Sequence, residues 1–421
     1  MFIALLFHSK RFLRSSGCPV GLSFSLKLPL ILLATALSSL LALPLNGEAV
    51  PFTFVKIADT SGVITGDPAL NDAGDVVFAT GYSTGGQHPI VVGDHIFVGN
   101  GGPLRTIADT SGPFNGFGIG FFGGNPSINN SGTVGFSAGL KTGGSGIFTS
   151  DGTTIITIAT GSGFSPSLND QGTAAFHTFS NAPNGGIFTG NGGPLTRIAL
   201  GQPSQPPTFG TFIDTQKPSI NNQGTVAFTA TDLQTTITSI FTGSGGPLNT
   251  IIDNSGPFQF VSNPSINNKG LVAFEGGLKS GLEGIFVTDG TMLRNVADTS
   301  GGFGFLYSPD INDADLVAFF ATTQQNGFVT GTGIFTGPDP IADRVIVTND
   351  ALFGSTVTDL WGFGAKGFLN DAGQITFFAA LSNGTQGIFR ADPVPEPSTM
   401  LLLGSGLLGL AGYGRKKFFK K

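Results

Sequence analysis

The chain is 421 residues long, with 66 Gly, 25 Pro and 40 Phe but one Cys and only 11% charged residues. Setting aside the four basic residues and Glu48 of residues 1–49, and the five basic residues and Glu396 after Asp392, the body keeps eleven basic against 24 acidic side chains, a net −13. An acidic body with singly scattered basic residues excludes a nucleic-acid partner, and the lack of cysteine beyond Cys18 excludes a disulfide framework and a thiolate site.

In residues 1–49, Lys10, Arg11, Arg14 and Lys27 precede an apolar run from Leu28 to Leu45, and Gly47 and Ala49 supply small residues at a plausible cleavage site. This pattern predicts a secretory signal peptide rather than an uncleaved anchor. Cys18 lies ahead of the apolar run, where a lipidation cysteine would follow it.

From 50 to 392 no apolar stripe at helical spacing runs free of Gly and Pro, so short strands and tight turns are expected. One nine-residue string recurs seven times: LNDAGDVVF from Leu70, INNSGTVGF from Ile128, LNDQGTAAF from Leu168, INNQGTVAF from Ile220, INNKGLVAF from Ile266, INDADLVAF from Ile311 and LNDAGQITF from Leu369. The asparagines, Asn71, Asn129, Asn169, Asn221, Asn267, Asn312 and Asn370, are 58, 40, 52, 46, 45 and 58 residues apart. An Ile-Phe pair, usually preceded by Gly, follows each copy, the first at Ile96-Phe97 and the last at Ile388-Phe389. A third piece, of the form TIADTSG, follows six of these pairs; its seventh member, KIADTSG from Lys56, stands alone ahead of the first copy.

Each unit therefore reads as four short strands joined by hairpins. Four-stranded units at this period predict a seven-bladed β-propeller in which the orphan strand at Lys56 completes the last blade and removes an open edge. The alternative all-β reading, a β-solenoid, has shorter repeats and leaves the offset unexplained.

Within each copy the Asn is expected to open a turn by accepting a backbone N–H with its side-chain oxygen, and Gly74, Gly132, Gly172, Gly224, Gly270 and Gly373 to close it in the left-handed conformation. The sixth copy has Asp315 at this position. Phe136 and its counterparts are expected to pack between blades. A Ca²⁺ loop at Asn71–Asp75 is the weaker reading, because Asp75 is Thr, Gln or Leu in the other copies; no cofactor is expected. Asp59, Asp109, Asp253 and Asp298 are expected to bond backbone at strand ends.

His88, His95 and His177 show no metal or triad spacing, and no catalytic residue is assigned. Trp361, the single tryptophan, is expected to pack in the last blade rather than serve as a sugar-stacking platform. Glu275 and Glu283 are the only glutamates of the body and fall in one unit.

Residues 393–421 hold Pro395, Glu396 and Pro397, an uncharged apolar stretch from Thr399 to Gly414, and a basic end that includes Arg415, Lys416 and Lys417. Such an order predicts a short transmembrane helix with its basic tail on the cytoplasmic side. These residues resemble the PEP-CTERM sorting signal. The resemblance implies recognition by an exosortase, a membrane transpeptidase of Gram-negative bacteria that make exopolysaccharide, with cleavage near the motif. The body resembles a secreted bacterial family with tandem NxxGxxAF repeats and a choice of C-terminal anchors, which implies a surface protein and carries over no catalytic residue.

The sequence thus predicts three parts, a signal peptide (1–49), a propeller domain (50–392) and a sorting segment (393–421). The expected protein is exported, displayed on the outer surface or in the extracellular matrix, and non-enzymatic, with a binding or structural association with exopolysaccharide. The alternative is an extracellular polysaccharide hydrolase or lyase on the same scaffold.

Overall fold

The computed structural model describes residues 51–60, 63–64, 67–83, 91–117, 125–161, 163–178, 185–200, 218–232, 235–361 and 366–394. All described elements are β-strands, and they belong to the unit that begins at Ala49. The expected signal peptide and the expected apolar helix after Pro397 lie outside the described residues.

The unit is clearest at Phe258–Ile266, Val272–Leu278, Glu283–Thr288 and Leu293–Asp298, which pair antiparallel in sequence order. Three further four-stranded sheets, starting at Gly163, Ser219 and Phe303, have the same order. The first two copies instead share one ten-stranded sheet, because Phe114–Phe117 pairs with both Val91–Gly99 and Val134–Leu140. In the last sheet the strand Phe52–Thr60 lies antiparallel to Gln386–Pro393, from Phe52 opposite Pro393 to Thr60 opposite Gln386.

The register of that last pairing matches the others. Ile388 faces Ala58 and Phe389 faces Lys56, with one residue bulged between them; Ile147 likewise faces Ala159 and Phe148 faces Thr157, and Ile285 faces Ala297 and Phe286 faces Asn295. The bulge explains the Gly that precedes Ile-Phe. A Cβ on Gly146, Gly284 or Gly387 would stand 2.6–2.7 Å from the carbonyl oxygen of Ala159, Ala297 or Ala58, closer than any real side chain sits.

The two aromatic motifs meet across neighbouring strands. Phe136 faces Phe148, Phe228 faces Phe241, Phe274 faces Phe286 and Phe377 faces Phe389, each pair stacked with ring centroids 5.7–6.0 Å apart. Each pair also reaches the preceding sheet: Phe274 clusters with Ala227 and Ile240, and Phe319 with Ala273, Ile285 and Val296. Burying one such ring stabilises by about 1.5–3 kcal/mol, so the expected packing of phenylalanines between units holds the sheets side by side.

Candidate functional site

The seven repeated asparagines form one structure. In every copy the side-chain Oδ1 accepts the backbone N–H four residues on, as Thr133 donates to Asn129 at 3.0 Å and Gln374 to Asn370 at 2.8 Å. The left-handed Gly follows at φ +75° to +84° in six copies, and Asp315 takes φ +64° in the sixth. This is the expected turn. The amide end makes a second bond that the sequence does not reveal: Asn71 Nδ2 donates to the carbonyl of Asn129, Asn129 to Asn169, Asn169 to Asn221, Asn221 to Asn267, Asn267 to Asn312, Asn312 to Asn370, and Asn370 back to Asn71. These bonds are 2.9–3.2 Å long, and all seven asparagines are buried. The circuit ends where it began.

The next residue of each copy builds a second circuit. Asp72, Asn130, Asp170, Asn222, Asn268, Asp313 and Asp371 each donate a backbone N–H to the side-chain oxygen of the following member, and Asp371 donates to Asp72. Together the two circuits line an open depression of about 150 Å³. The three amides also donate to flanking carboxylates, as Asn130 does to Asp72 and Asn222 to Asp170. Asp371 is flanked by Asp313 and Asp72 and has no amide beside it. Partial burial, then the charges of Asp72, Asp313 and Asp170, push its carboxyl above the usual value, against the hydrogen bond from Asp313 that lowers it.

Away from this mouth the copies stop repeating. Glu275 follows the repeated Phe274, where other copies carry Ala79, Ser137, His177, Thr229, Phe320 and Phe378. Its carboxylate accepts Ser262 Oγ at 3.0 Å, Asn263 Nδ2 at 2.7 Å and the Ser308 N–H of the next sheet at 2.5 Å. Asn263 and Ser308 are buried with φ of +57° and +51°, a strained conformation for residues that carry a Cβ. The Oδ1 of Asn263 is buried with no hydrogen-bond partner among the described residues. Lys366, 5% exposed, donates to the carbonyls of Asn263 at 2.7 Å and Pro309 at 3.1 Å. Burial, then the charges of Asp359, Asp67 and Glu275, pushes the Tyr307 hydroxyl up to about 12. It therefore stays protonated.

Residues 35–257 and, overlapping them, 162–348 match the model of a family of unknown function, DUF7453. The chain belongs to that family. A PEP-CTERM protein-sorting motif matches residues 393–416, so this DUF7453 chain carries the signal of an exported protein handled by an exosortase. The match contains Pro395, Glu396, Pro397, Arg415 and Lys416 and stops short of Lys417; all six lie outside the described residues. No curated protein matches the chain. Among solved structures it resembles the β-propeller domain of the Trilobed protease from Pyrococcus furiosus, at 10% identity over 80% of this chain and 96% of that one, with a TM-score of 0.51. It also resembles the acylaminoacyl peptidase of Pyrococcus horikoshii, at 9% identity over 82% of this chain and 54% of that one, TM-score 0.50. The chain spans about half the length of the latter. At such identities the likeness is of fold, that of a β-propeller. The P. furiosus domain is described as having an open velcro topology, whereas in this DUF7453 chain the first described strand pairs with the last.

The remaining candidates are not brought together in this DUF7453 chain. His177 is buried, and burial drives its pKa down to about 4, which keeps the ring neutral. His95 lies 3.0 Å from Asp94 and stacks on Phe97, and His88 falls outside the described residues. Glu283 stands opposite Gly277, while the bonds of Glu275 go to Ser262, Asn263 and Ser308. Among the described residues no group of three or more His, Cys, Asp or Glu is arranged to hold a metal ion. Asp109, Asp253 and Asp298 accept the N–H of Ser111, Ser255 and Ser300, as expected at strand ends, whereas Asp59 pairs with Lys56 at 2.6 Å.

Trp361 corrects an expectation. Far from being packed in the last sheet it is 60% exposed, with its indole Nε1–H donating to Asp359 Oδ2 at 2.5 Å.

Proposed function

We propose that this DUF7453 protein is an exported, exosortase-processed protein of the outer surface or extracellular matrix, with a binding or structural role beside exopolysaccharide and no catalytic one. Its body is a seven-bladed propeller closed by Phe52–Thr60. The observation that carries the reading is the circuit of seven asparagines: each uses both ends of its carboxamide within the scaffold, and none is left to act on a substrate. The resemblance to surface proteins with NxxGxxAF repeats supports the same reading.

Two measurements test it. Replacing Pro395, Glu396 and Pro397 by Ala should leave a larger, membrane-retained form in the producing cells; unchanged processing refutes the sorting part. The full chain should co-sediment with the exopolysaccharide of its own cells without releasing reducing ends or unsaturated products.

Release of such products would favour the second reading, a polysaccharide hydrolase or lyase. What favours it is that the charges of Asp359, Asp67 and Glu275, far apart in the chain, all act with burial to raise one hydroxyl, that of Tyr307. A propeller enzyme needs such convergence, which a count of glutamates does not reveal.

A further inference from the structure

We infer that Trp361, Asp359, Tyr307 and Phe305 form a saccharide-binding site for a sugar ring that carries no acid group; this rests on the binding reading above. Register places the parts. Trp361 faces Phe378, Tyr307 faces Phe320 and Ser262 faces Glu275, so the three occupy the same position on the inner strands of consecutive sheets. Asp359 and Phe305 share the position two residues earlier, facing Ala380 and Thr322.

The aromatic surface is already built. Tyr307 is buried, stacked on Phe320 at 5.8 Å, and Phe305, 41% exposed, lies over it at 5.5 Å. At the equivalent position of the following sheet Trp361 keeps 60% of its surface in solvent, although a tryptophan is the side chain that gains most from being covered. Its N–H is already given to Asp359, which fixes the ring edge and leaves the ring faces as the surface on offer. An immobilised, uncovered indole beside a carboxylate suits a ligand with an apolar face and a hydroxylated rim. A pyranose ring has both: its C–H face covers the indole, and its hydroxyls donate to Asp359.

Charge narrows the choice. Asp67, Glu275 and Asp359 are near enough to act on Tyr307, while Lys366 donates to two carbonyls. Uronic acids and phosphates are repelled; neutral and amino sugars are accepted. The buried Oδ1 of Asn263, without a partner among the described residues and on the same carboxamide that bonds Glu275, is a further acceptor in this region.

Trp361 is the only tryptophan of the chain, so its fluorescence reports this site alone. The full chain is titrated with cellohexaose, a glucosamine hexamer and a galacturonate hexamer, and retention on gels containing the corresponding polymers is measured for Trp361→Ala, Trp361→Phe and Asp371→Asn. The expected result is a saturable fluorescence change with the first two probes and none with the third. Trp361→Ala should lose affinity by about tenfold or more, as the loss of an aromatic anchor does; Trp361→Phe should retain most of it, and Asp371→Asn all of it. Because Trp361 is exposed, an unchanged Tm in Trp361→Ala separates loss of the site from loss of the fold. A full chain that binds saccharide with unchanged fluorescence, and equally well as Trp361→Ala, overturns the site and leaves the binding reading standing. Strongest binding of the galacturonate hexamer overturns the charge argument, and no retention on any polymer overturns both.

Discussion

The two ends of the inner strands obey opposite rules. At the mouth lined by Asn71 to Asp371, seven copies place the same residue types in the same bonds, and the circuit returns from Asn370 to Asn71. Toward Glu275, Tyr307 and Trp361, equivalent positions hold Ser, Tyr and Trp, and on the adjacent strand Glu and Phe. Identity around the ring buys a scaffold in which every unit can hold its neighbour; departure from it concentrates, on a few sheets, side chains that no other unit needs. A repeated polar residue is therefore structural here, and an unrepeated one is where recognition can reside.

That contrast can be tested most strongly through His177, the unrepeated residue after Phe176. Its pKa falls from 6.5 to about 4 on folding because burial disfavours the charged ring. The folded state thus binds the proton less well than the unfolded chain. Its stability is intact above 6.5 and declines as pH falls from 6.5 towards 4, by about 3 kcal/mol for this one group. Thermal unfolding across that range should show the decline, and His177→Gln should flatten it.

Breaking the circuit comes next. Asn221→Ala removes the acceptor of the Gln223 and Thr225 N–H groups and the donor to Asn267 O, all at a buried site, and should cost about 2–3 kcal/mol. Asn169→Ala should cost nearly the same if the units are equivalent, and denaturant unfolding of the two variants measures this. By contrast, Trp361→Ala should leave stability within about 0.5 kcal/mol.

Asp371 offers a change in the opposite direction. Its carboxyl is raised in the folded state, so ionising it opposes folding: the native chain loses stability as pH rises past the ordinary 3.8. Asp371→Asn keeps the acceptor for Asp313 N–H and adds a donor between Asp313 and Asp72, as Asn130 does between Asp72 and Asp170. The side chain is only partly buried and screened by solvent, so the gain is small, about 0.5 kcal/mol near neutrality, and vanishes at low pH. Tm measured at both ends of the range checks it.

Most of the scaffold was legible in the sequence, because a turn, a strand and a bulge are local. Counting Asn129 and its relatives gave the units, and the lone KIAD piece pointed to the strand that pairs with Gln386–Pro393. The circuit was not legible: six of the asparagines find their amide acceptor on a carbonyl 40 to 58 residues away and Asn370 finds its own 299 residues away, and a carbonyl leaves no mark on a sequence. Trp361 was misjudged for a related reason. Its counterpart Tyr307 is covered by Phe305 and Phe320, and hydropathy alone does not say that Trp361 lacks such cover. Asp67 and Asp359 were hidden among many aspartates, and only alignment of the copies, position by position, separates them from the turn residues.

The sixth copy offers the most discriminating comparison. Asp315 occupies the left-handed position that glycine holds in the other six copies, at φ +64°. A non-glycine residue there costs about 1–2 kcal/mol, less for Asp than for most. Against that strain Asp315 bonds Lys269 Nζ at 3.0 Å at the surface and Asn267 Nδ2 at 3.1 Å in a partly buried position, contacts worth about 1 kcal/mol or less each. Asp315→Gly relieves the strain and loses the contacts, so its net effect should lie within about 0.5 kcal/mol of zero. Asp315→Ala loses the contacts and keeps the strain, so it should be about 1 kcal/mol less stable than the Gly variant. The difference between the two, read from urea midpoints, isolates the backbone term; equal stabilities would mean that the sixth unit is built on a different turn from the rest.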